Sequence, residues 1–371
     1  MLGTIIVPFT EKVFGDHNYE VLTSSRNGIQ RQSEHFAGKQ RHDTDGYNII
    51  PRGYCTYRNR SDDGLFTFNM NNIVDEGIVS KFYPVFTFQN ANSTFMMEYL
   101  NGSPRVRAKL SVLAVGTSQV VLSFETLKET SFYLPIFEEQ NRIASLLSAL
   151  NARIEKQRLL IEHLKKYKRG AITLILSNKD GSWKSGRLGD FITINRGGSP
   201  RPIEAFITND PDGVNWIKIG DVSEESLYIT QTAEKITAEG SRKSRKVFAG
   251  DLILSNSMSF GRPYIMQIEG CIHDGWLLLR DDGACFDKKY LCYYLASDEV
   301  LAQYKKYAAG SCVSNLNSEL VSNVFIEFPP LEKQKEIASS LELLDERINC
   351  EIKLLEKLLL IKKGLLQSLF I

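Results

Sequence analysis

Several loops of the sequence combine arginine or lysine with asparagine, serine and glycine, a mixture suited to contacts with nucleic acid. Arg and Lys pair with phosphate groups, and Arg and Asn also form paired hydrogen bonds with base edges. In the second half of the chain the candidate DNA contacts are Arg196, Ser199, Arg201, Arg242, Lys243, Arg245, Lys246, Asn256, Ser259 and Arg262. In the first half they are Arg26, Asn27, Lys39, Arg41, Arg58, Arg60, Arg105 and Arg107. Each cluster taken alone is a weak signal, because a solvated basic surface has the same composition.

Residue patterns that would carry catalysis are missing from the sequence. There is no GxxxxGK[ST] loop for a nucleoside triphosphate, no HExxH zinc motif and no CxxC pair. An Asn-Pro-Pro-Tyr-like tetrapeptide, expected of an amino-methylating enzyme, is also absent. His273-Asp274 has the residue types of an acid–base pair, but its place in a turn beside Trp276 favours a structural role. We therefore predict a binding subunit with no catalytic residues and no metal ligands.

Length and composition limit the class of protein. The 371 residues are enough for two or three domains. Hydrophobic residues at 43% and charged residues at 24% are ordinary for a globular protein and exclude a collagen or a wholly disordered chain. No apolar run approaches the roughly 18 residues of a membrane span. The six cysteines are expected to be reduced thiols in a cytoplasm.

The charge balance favours local rather than overall electrostatic binding. The 45 basic and 44 acidic residues give a net charge of +1, whereas a nucleic-acid-binding domain is usually basic. Residues 134–177 are the exception, with 8 basic and 4 acidic side chains. Any DNA contact must therefore come from local clusters.

The sequence contains an internal repeat at an offset of 194 residues. PIFEEQNRIAS, which begins at Pro135, matches PPLEKQKEIAS, which begins at Pro329, and the match runs on to Gly170 and Gly364. Helical periodicity alone would not place Pro, Gln and Gly at matching positions. We therefore divide the chain into a first domain (1–133), a spacer segment (134–177), a second domain (178–327) and a second spacer segment (328–371).

Each spacer segment predicts one long helix. It opens with proline and acidic residues, which suit a helix start, and its apolar residues recur in the heptad pattern of a coiled coil. The expected seam or partner-binding residues are Ile143, Leu147, Leu150, Ile154, Ile161, Leu164, Ile337, Leu341, Leu344, Ile348, Leu355 and Leu358. Because the two seams match, an antiparallel pair with pseudo-twofold symmetry is the simplest arrangement. The alternative is that each helix packs only on its own domain.

The residue patterns of the two domains predict a mixed α/β structure. The predicted fold class of the whole chain is α+β, with one long helix after each domain. Strands are expected over 54–57, 65–68, 84–88, 191–194, 216–219, 251–254 and 275–279. Helices are expected over 94–100 and 290–301.

This organisation resembles the specificity subunit of type I restriction–modification systems over essentially the whole chain. The resemblance rests on the paired Pro-x-x-Glu-x-Gln-x-x-Ile-Ala segments, preceded by Gly116-Thr117 and Gly310-Ser311. The second domain adds Trp183, Leu188-Gly189-Asp190, Gly198-Ser199-Pro200, Trp216 and Ser259-Phe260-Gly261. The first domain starts almost at Met1 and lacks the Gly-Ser-Pro element, so it matches the pattern at fewer residues.

The resemblance implies two target-recognition domains, each reading one half of a bipartite, asymmetric sequence in double-stranded DNA. The helices would set the gap between the half-sites and bind two modification (methyltransferase) subunits, which carry S-adenosylmethionine. Restriction subunits, which are motor-nucleases, would consume ATP with Mg. This chain would hold none of these cofactors and would not contact a membrane.

Two other functions stay open from the residues alone. One is a coiled-coil scaffold that joins proteins without reading DNA. The other is a self-contained DNA-modifying enzyme, which the missing motifs disfavour.

Overall fold

The computed structural model describes residues 1–35, 43–117, 119–222, 226–256, 261–281, 284–309 and 315–370. Contacts divide the chain into a first unit, Met1–Arg158 with Leu354–Ile371, and a second unit, Leu159–Lys353. Each unit therefore holds one α/β domain together with a part of both long helices.

The first unit begins with short strands and ends in a long helix. Its described strands are β1 (Ile6–Phe9), β2 (Glu20–Ser25), β3 (Gly28–Arg31), β4 (Asn48–Pro51), β5 (Cys55–Tyr57), β6 (Arg60–Ser61), β7 (Phe68–Met70), β8 (Glu76–Val79), β9 (Val85–Phe88) and β10 (Val120–Val121). Its described helices are α1 (Gln32–His35), α2 (Ser93–Gly102), α3 (Pro104–Leu113), α4 (Phe124–Glu129) and the start of α5 (Phe137–Ser177).

One sheet of the first unit, β1-β9-β5-β7, packs on an aromatic core, whereas the β3-β2-β8-β4 sheet borders separate hydrophobic clusters. The strand orders are β1-β9-β5-β7, β3-β2-β8-β4 and β10-β6. Tyr57, Phe86 and Phe95 are at most 1% exposed, and α5 adds the fully buried Leu147 to the same cluster. Burying one such side chain contributes about 1.5–3 kcal/mol, so α5 is part of the core of this domain.

The second unit has a longer series of strands. They are β11 (Lys184–Arg187), β12 (Thr193–Arg196), β13 (Ile207–Thr208), β14 (Val214–Ile217), β15 (Tyr228–Ile229), β16 (Glu234–Ile236), β17 (Arg245–Val247), β18 (Leu252–Ser255), β19 (Pro263–Met266), β20 (Gly270–Ile272), β21 (Trp276–Arg280) and β22 (Phe325–Phe328). Its described helices are α6 (Ala238–Arg242), α7 (Lys288–Leu295), α8 (Asp298–Ala309), α9 (Ser318–Ser322) and the start of α10 (Leu331–Leu369).

One sheet of the second unit, in the order β12-β21-β18-β19-β15, is buried on both faces. Side chains of a strand alternate between its two faces, and β21 shows this: Leu277 and Leu279 enter one hydrophobic cluster, whereas Trp276 and Leu278 enter another. The run WLLL is therefore continuously apolar because both faces of its strand are covered.

The long helices run antiparallel within the second unit. Lys168 Nζ of α5 lies 2.6 Å from Asp345 Oδ1 of α10. Further along α5, Leu176 shares a cluster with Ile337, which precedes Asp345 on α10. Residue numbers rise along one helix as they fall along the other.

The first unit shows the same antiparallel pairing. Leu147 of α5 shares a cluster with Phe370. One turn later, Asn151 Nδ2 donates to Glu98 Oε1 of α2 at 2.7 Å, and Lys362 Nζ of α10 lies 3.6 Å from Glu98 Oε2. The fold class predicted from the sequence, two α/β domains with antiparallel long helices, is confirmed.

The predicted seam residues all face protein at least in part. Those that are buried are Ile143, Leu147 and Ile154 in the first unit, and Ile161, Ile337, Leu341 and Ile348 in the second. Those that are half-buried are Leu150, Leu355 and Leu358 in the first unit, and Leu164 and Leu344 in the second. Their use as contacts to a partner subunit stays a prediction, as do the four domain boundaries.

Some predicted elements are displaced. The strand expected over 65–68 begins only at Phe68, because Asp63 and Gly64 form a turn in which the Asp63 carboxylate accepts a hydrogen bond from the Leu65 N–H at 3.2 Å. The helix expected over 290–301 is two helices, because Ser297 ends α7 and caps α8: its Oγ accepts from the Val300 N–H at 3.4 Å. The strands expected over 191–194 and 216–219 are β12 and β14, each shifted by two residues.

Candidate nucleic-acid interface

Strand register in the second unit brings several candidate residues to one edge of a sheet. Arg196, at the end of β12, pairs with Leu277 of β21, and Ser255, at the end of β18, pairs with Trp276. The segment after β12 and Asn256, the residue after β18, therefore meet the turn at His273–Gly275, which leads into β21. Separate loops of the sequence form one surface at this edge.

Asp274 is the centre of this surface. Its carboxylate Oδ1 accepts a hydrogen bond from Ser199 Oγ at 2.8 Å, and its Oδ2 lies 3.6 Å from Arg201 Nη2. Its backbone carbonyl accepts from Arg196 Nε at 3.2 Å and from Asn256 Nδ2 at 2.8 Å. The hydrogen bond from Ser199 lowers the pKa of Asp274 below its ordinary value, so the carboxylate is charged at neutral pH.

His273, beside Asp274, has structural contacts. Its Nδ1 accepts a hydrogen bond from the Gly275 N–H at 2.6 Å, and its Nε2 lies 3.2 Å from the Ile219 N. Burial lowers the pKa of His273. A neutral imidazole has one acceptor nitrogen, and an acceptor at Nδ1 for the closer N–H of Gly275 fits the structural role expected from the sequence.

The basic run of the second domain lies next to Arg196. Arg245 Nε donates to the Arg196 carbonyl at 3.3 Å. Lys243 pairs with Glu239 at 2.8 Å and lies over the Phe206 ring. Arg242 and Lys246 are exposed. The structure thus brings Arg245 to the Asp274 surface and gives Lys243 a local partner.

The remaining candidates of the second domain have different environments. Arg262 is half-buried, with its guanidinium 5.6 Å from the centre of the Tyr264 ring. Asn256 is only 3% exposed, so it supports the turn rather than offering its side chain to a ligand. Ser259 lies outside the described residues, as does Gly310-Ser311.

An open groove of about 740 Å³ borders the Asp274 surface. Its lining includes Ser199 and Arg201 on one side and the ion pair between Lys218 and Glu234 on another, with Trp216 against it. Only Ser199 and Arg201 of this lining are candidate contacts from the sequence; the rest of the groove comes from the segment that follows them and from residues in or next to β14 and β16.

The first unit has a smaller group of the same kind. Arg26, in the turn between β2 and β3, pairs with Asp63: its Nη2 lies 2.7 Å from Asp63 Oδ2. Ser61 Oγ donates to Asp63 Oδ1 at 2.8 Å. That hydrogen bond is the largest cause that lowers the pKa of Asp63, to about 2. Arg60, in β6, places its guanidinium 5.6 Å from the centre of the Phe82 ring.

Other candidates of the first domain stand apart from the Asp63 group. Asn27 is exposed and its backbone N–H donates to Ser25 Oγ, while Arg58 is exposed after β5. Arg105 and Arg107 are exposed on α3, and within the described ranges no hydrogen bond or ion pair links them to Asp63. Lys39 and Arg41 lie outside the described residues.

Sequence analysis missed the role of two acidic residues, Asp63 and Asp274. Asp63 was no candidate at all, and Asp274 was considered only as a partner of His273. The available signal was local: Ser61 stands two residues before Asp63. No such spacing marks Asp274, whose serine is 75 residues away in the chain.

Within the described parts of the chain, no three histidine, cysteine or carboxylate side chains gather as a metal site requires. Across the same residues, no helix has both the length and the apolarity that crossing a bilayer demands. The five described cysteines form no disulfide.

Similar proteins are known. In the archaeon Methanocaldococcus jannaschii, the MjaX and MjaVIII type I restriction enzyme specificity subunits are 23% identical over 264 residues and 27% identical over 190 residues. The alignments cover 66% and 51% of this chain, and 59% and 42% of those proteins. The chain therefore spans about half the length of these curated relatives.

Solved structures share the fold. A chain from a study of complex assembly and conformational transition in a type I R-M system matches with a TM-score of 0.63 and 18% identity, covering 98% of this chain and 95% of that one. The type I restriction-modification S subunit from M. genitalium matches with a TM-score of 0.59 and 14% identity, covering 100% of this chain and 95% of that one. At these sequence identities, the two matches show that the fold is shared.

A family model also matches the sequence directly. The model for the type I restriction modification DNA specificity domain matches twice, at residues 15–163 and 181–360, once for each α/β domain with its spacer helix. The resemblance seen in the repeated segments is therefore confirmed, and the chain belongs to the family of type I restriction–modification specificity subunits.

Proposed function

We propose that this chain is the DNA-specificity subunit of a type I restriction–modification complex, in which each α/β domain reads one half of a bipartite target in double-stranded DNA. The observation that carries the proposal is the double match to a DNA specificity domain, combined with an exposed arginine group on each of the two domains. Exposed arginines at loop ends are suited to groove contacts.

The target is asymmetric in this proposal. Arg26 lies in the turn between β2 and β3, whereas Arg201 lies in the segment after β12, and the two loops differ in sequence. Two different reading surfaces recognise two different half-sites, which supports a split and non-palindromic target.

The helices set the gap between the half-sites and bind two modification subunits. Three apolar side chains of α5 in the second unit recur every seven residues and stay exposed: Leu160 by 38%, Tyr167 by 65% and Leu174 by 70%. A row of exposed apolar residues on one helix face is typical of a protein-binding surface. Restriction subunits complete the complex.

The chain is non-catalytic in this proposal. S-adenosylmethionine belongs to the modification subunits, and ATP with Mg to the restriction subunits. The support is the missing set of catalytic motifs in the sequence.

The test is to express the chain together with its modification subunit in a host that lacks both, and to map methylated adenines across the host DNA. We expect methylation at one split, asymmetric motif, and none when this chain is omitted. A stable complex without chain-dependent methylation would contradict the proposal.

Paired substitution of Arg201 and Arg262 by alanine separates DNA reading from scaffolding. A specificity subunit loses or changes one half of the methylated motif, because both side chains lie in the second domain. A scaffold keeps its full function, since the variant leaves both long helices intact.

A further inference from the structure

Each domain places an exposed arginine beside an aspartate that accepts a hydrogen bond from a serine, although the sequences differ at these sites. The arginine nitrogen lies 2.7 Å from the carboxylate in the first unit and 3.6 Å from it in the second. In the first unit, Asp63 accepts from Ser61 on Oδ1 and faces Arg26 on Oδ2. In the second unit, Asp274 accepts from Ser199 on Oδ1 and faces Arg201 on Oδ2. The serine hydrogen bond is 2.8 Å in both.

We propose that Arg26 and Arg201 read guanine, one in each half of the DNA target, and that Asp63 and Asp274 are positioning residues that orient them. This inference rests on the proposed function.

Exposure shows which arginine of the second unit is available to a ligand. Arg201 is 82% exposed, whereas Arg196 is 59% exposed and its Nε is bonded to the Asp274 carbonyl. In the first unit Arg26 is 67% exposed. Both guanidinium groups therefore project into solvent beside a carboxylate, to which Arg26 is hydrogen-bonded and Arg201 is ion-paired.

The aspartate beside each arginine makes a DNA base a better ligand for that arginine than a phosphate. An arginine that binds phosphate gains from its full positive charge, but a neighbouring carboxylate cancels that charge and repels the phosphate oxygens. Asp63 and Asp274 are only 41% exposed on their side chains, and their serine hydrogen bonds keep them ionised. A phosphate contact is thus disfavoured at both sites.

The base edge of guanine, unlike a phosphate, carries no negative charge that a neighbouring carboxylate would repel. Its O6 and N7 are neutral acceptors that take two parallel N–H donors. Guanidinium has five N–H donors in a rigid fork, so one edge can face the aspartate while another faces the base. Holding the fork in place also lowers the conformational entropy lost on binding.

The test uses the full-length chain in complex with its modification subunit. The complex selects from a pool of duplexes with randomised sequence, and the bound duplexes give base preferences at each position. We expect Arg201→Ala to lower the preference for guanine at one position of one half-site by about ten-fold or more. Arg26→Ala should do the same at one position of the other half-site.

The salt dependence of binding to the selected duplex is the second readout. A base contact leaves the slope of log affinity against log salt unchanged, whereas a lost phosphate contact reduces it by about one. An Arg201→Ala variant that keeps every base preference and has a smaller slope would overturn the inference. Arg187→Ala, which removes an exposed arginine of the second unit that is not a candidate DNA contact, is the matched control and should keep the guanine preference.

Positioning by aspartate is tested with Asp274→Asn, which keeps the size of the side chain and an acceptor for Ser199. We expect it to weaken the same single position as Arg201→Ala, with no further loss in the double variant. A purely structural role would instead weaken all positions of that half-site. If the unmodified complex selects no sequence at all, the proposed function fails, and this outcome is distinct from a failure of the arginine assignment.

Discussion

At the scale of single residues, acidic side chains organise the basic surface. Asp274 contacts the end of β12 and the segment after it through Arg196 and Ser199, and the residue after β18 through Asn256. Its negative charge lowers the local positive potential, yet it fixes where the positive groups point. If this surface contacts DNA as proposed, its acidic side chains would set the geometry of the contacts, while its basic side chains would supply the attraction.

A pH dependence follows from His273. Its pKa is lowered in the folded protein by burial, so the folded state takes up a proton at lower pH than the unfolded state. Stability is therefore full above the unfolded pKa of about 6.5 and falls as the pH drops below it, by at most about 1.4 kcal/mol per pH unit. The fluorescence of Trp183, Trp216 and Trp276, which all lie in the second unit, reports its denaturant midpoint between pH 7 and 5.

Substitution isolates this titration. His273→Asn keeps an acceptor for the Gly275 N–H but cannot be protonated, so its midpoint should change less over this pH range. His163→Asn removes an exposed histidine of the same unit and should behave as the unmodified chain. Equal pH slopes for all three proteins would count against a neutral, structural His273.

At the scale of elements, the repeated glutamine explains the repeated motif. Gln334 Nε2 donates to the carbonyls of Pro329 and Cys285, and its Oε1 accepts from the N–H of Asp287, the N-cap of α7. Gln140 donates to the carbonyl of Pro135, and accepts from the N–H of Asn92, the N-cap of α2. Each glutamine fastens the first turn of a long helix to a helix of its own domain.

Removing this amide has a defined cost. Gln334 is fully buried, so Gln334→Ala leaves two carbonyls and one N–H without their partner. We expect a loss of roughly 2–4 kcal/mol in the stability of the second unit, measured by its tryptophan fluorescence in denaturant. Glu346→Ala, at an exposed position of the same helix within the second unit, should leave the midpoint unchanged. A similar small change in both variants would show that the amide is replaceable.

Each long helix carries a lysine that pairs with an acidic residue, and the acidic residue lies in a different kind of element in each unit. Lys168 and Lys362 are repeat-related, and so are Asn151 and Asp345. In the second unit the acid is Asp345 on α10, where it also accepts from Tyr293 OH at 2.8 Å. In the first unit it is Glu98, on a domain helix. The repeat therefore preserves a partner for each lysine rather than a particular residue.

At the scale of the whole molecule, the helices are expected to act as a spacer. Four residues inserted after Gln157 in α5, with four after Glu351 in α10, lengthen each helix by about 6 Å. At about 3.4 Å per base pair, the gap between the half-sites should grow by roughly two base pairs, while both half-sites stay the same. Mapping of methylated adenines measures both quantities.

The control for this experiment is a four-residue insertion in the exposed turn at Asp210–Asp212, which leaves the helices unaltered. It should leave the gap unchanged. An unchanged gap in the helix variant as well, with methylation retained, would show that the helices do not set the spacing.

The near-neutral net charge also makes a prediction for the isolated chain. With a charge of +1, we expect it to bind duplex DNA weakly and to lose affinity steeply between 50 and 200 mM salt. The complex with the modification subunit should bind more tightly, because that subunit adds phosphate contacts. Tight binding by the isolated chain that is independent of salt would refute this prediction, and fluorescence anisotropy of a labelled duplex measures it.

The repeat, the two long helices and the family can all be read from the amino-acid sequence. A helix carries its signal within its own segment: the spacing from Ile143 to Ile161 and the Pro-x-x-Glu-x-Gln start are local patterns. Mixed α/β domains were also predictable, although short strands such as β7 and β12 were displaced, since turn contacts decide where a strand begins.

How the candidate residues meet depends on the three-dimensional fold. Arg26 and Asp63 are 37 residues apart, and Ser199 and Asp274 are 75 apart. Their contact depends on which strands are neighbours and in what register, as in the pairing of Arg196 with Leu277. Strand pairing is a non-local choice, so the sequence shows the arginines but not the aspartates that hold them.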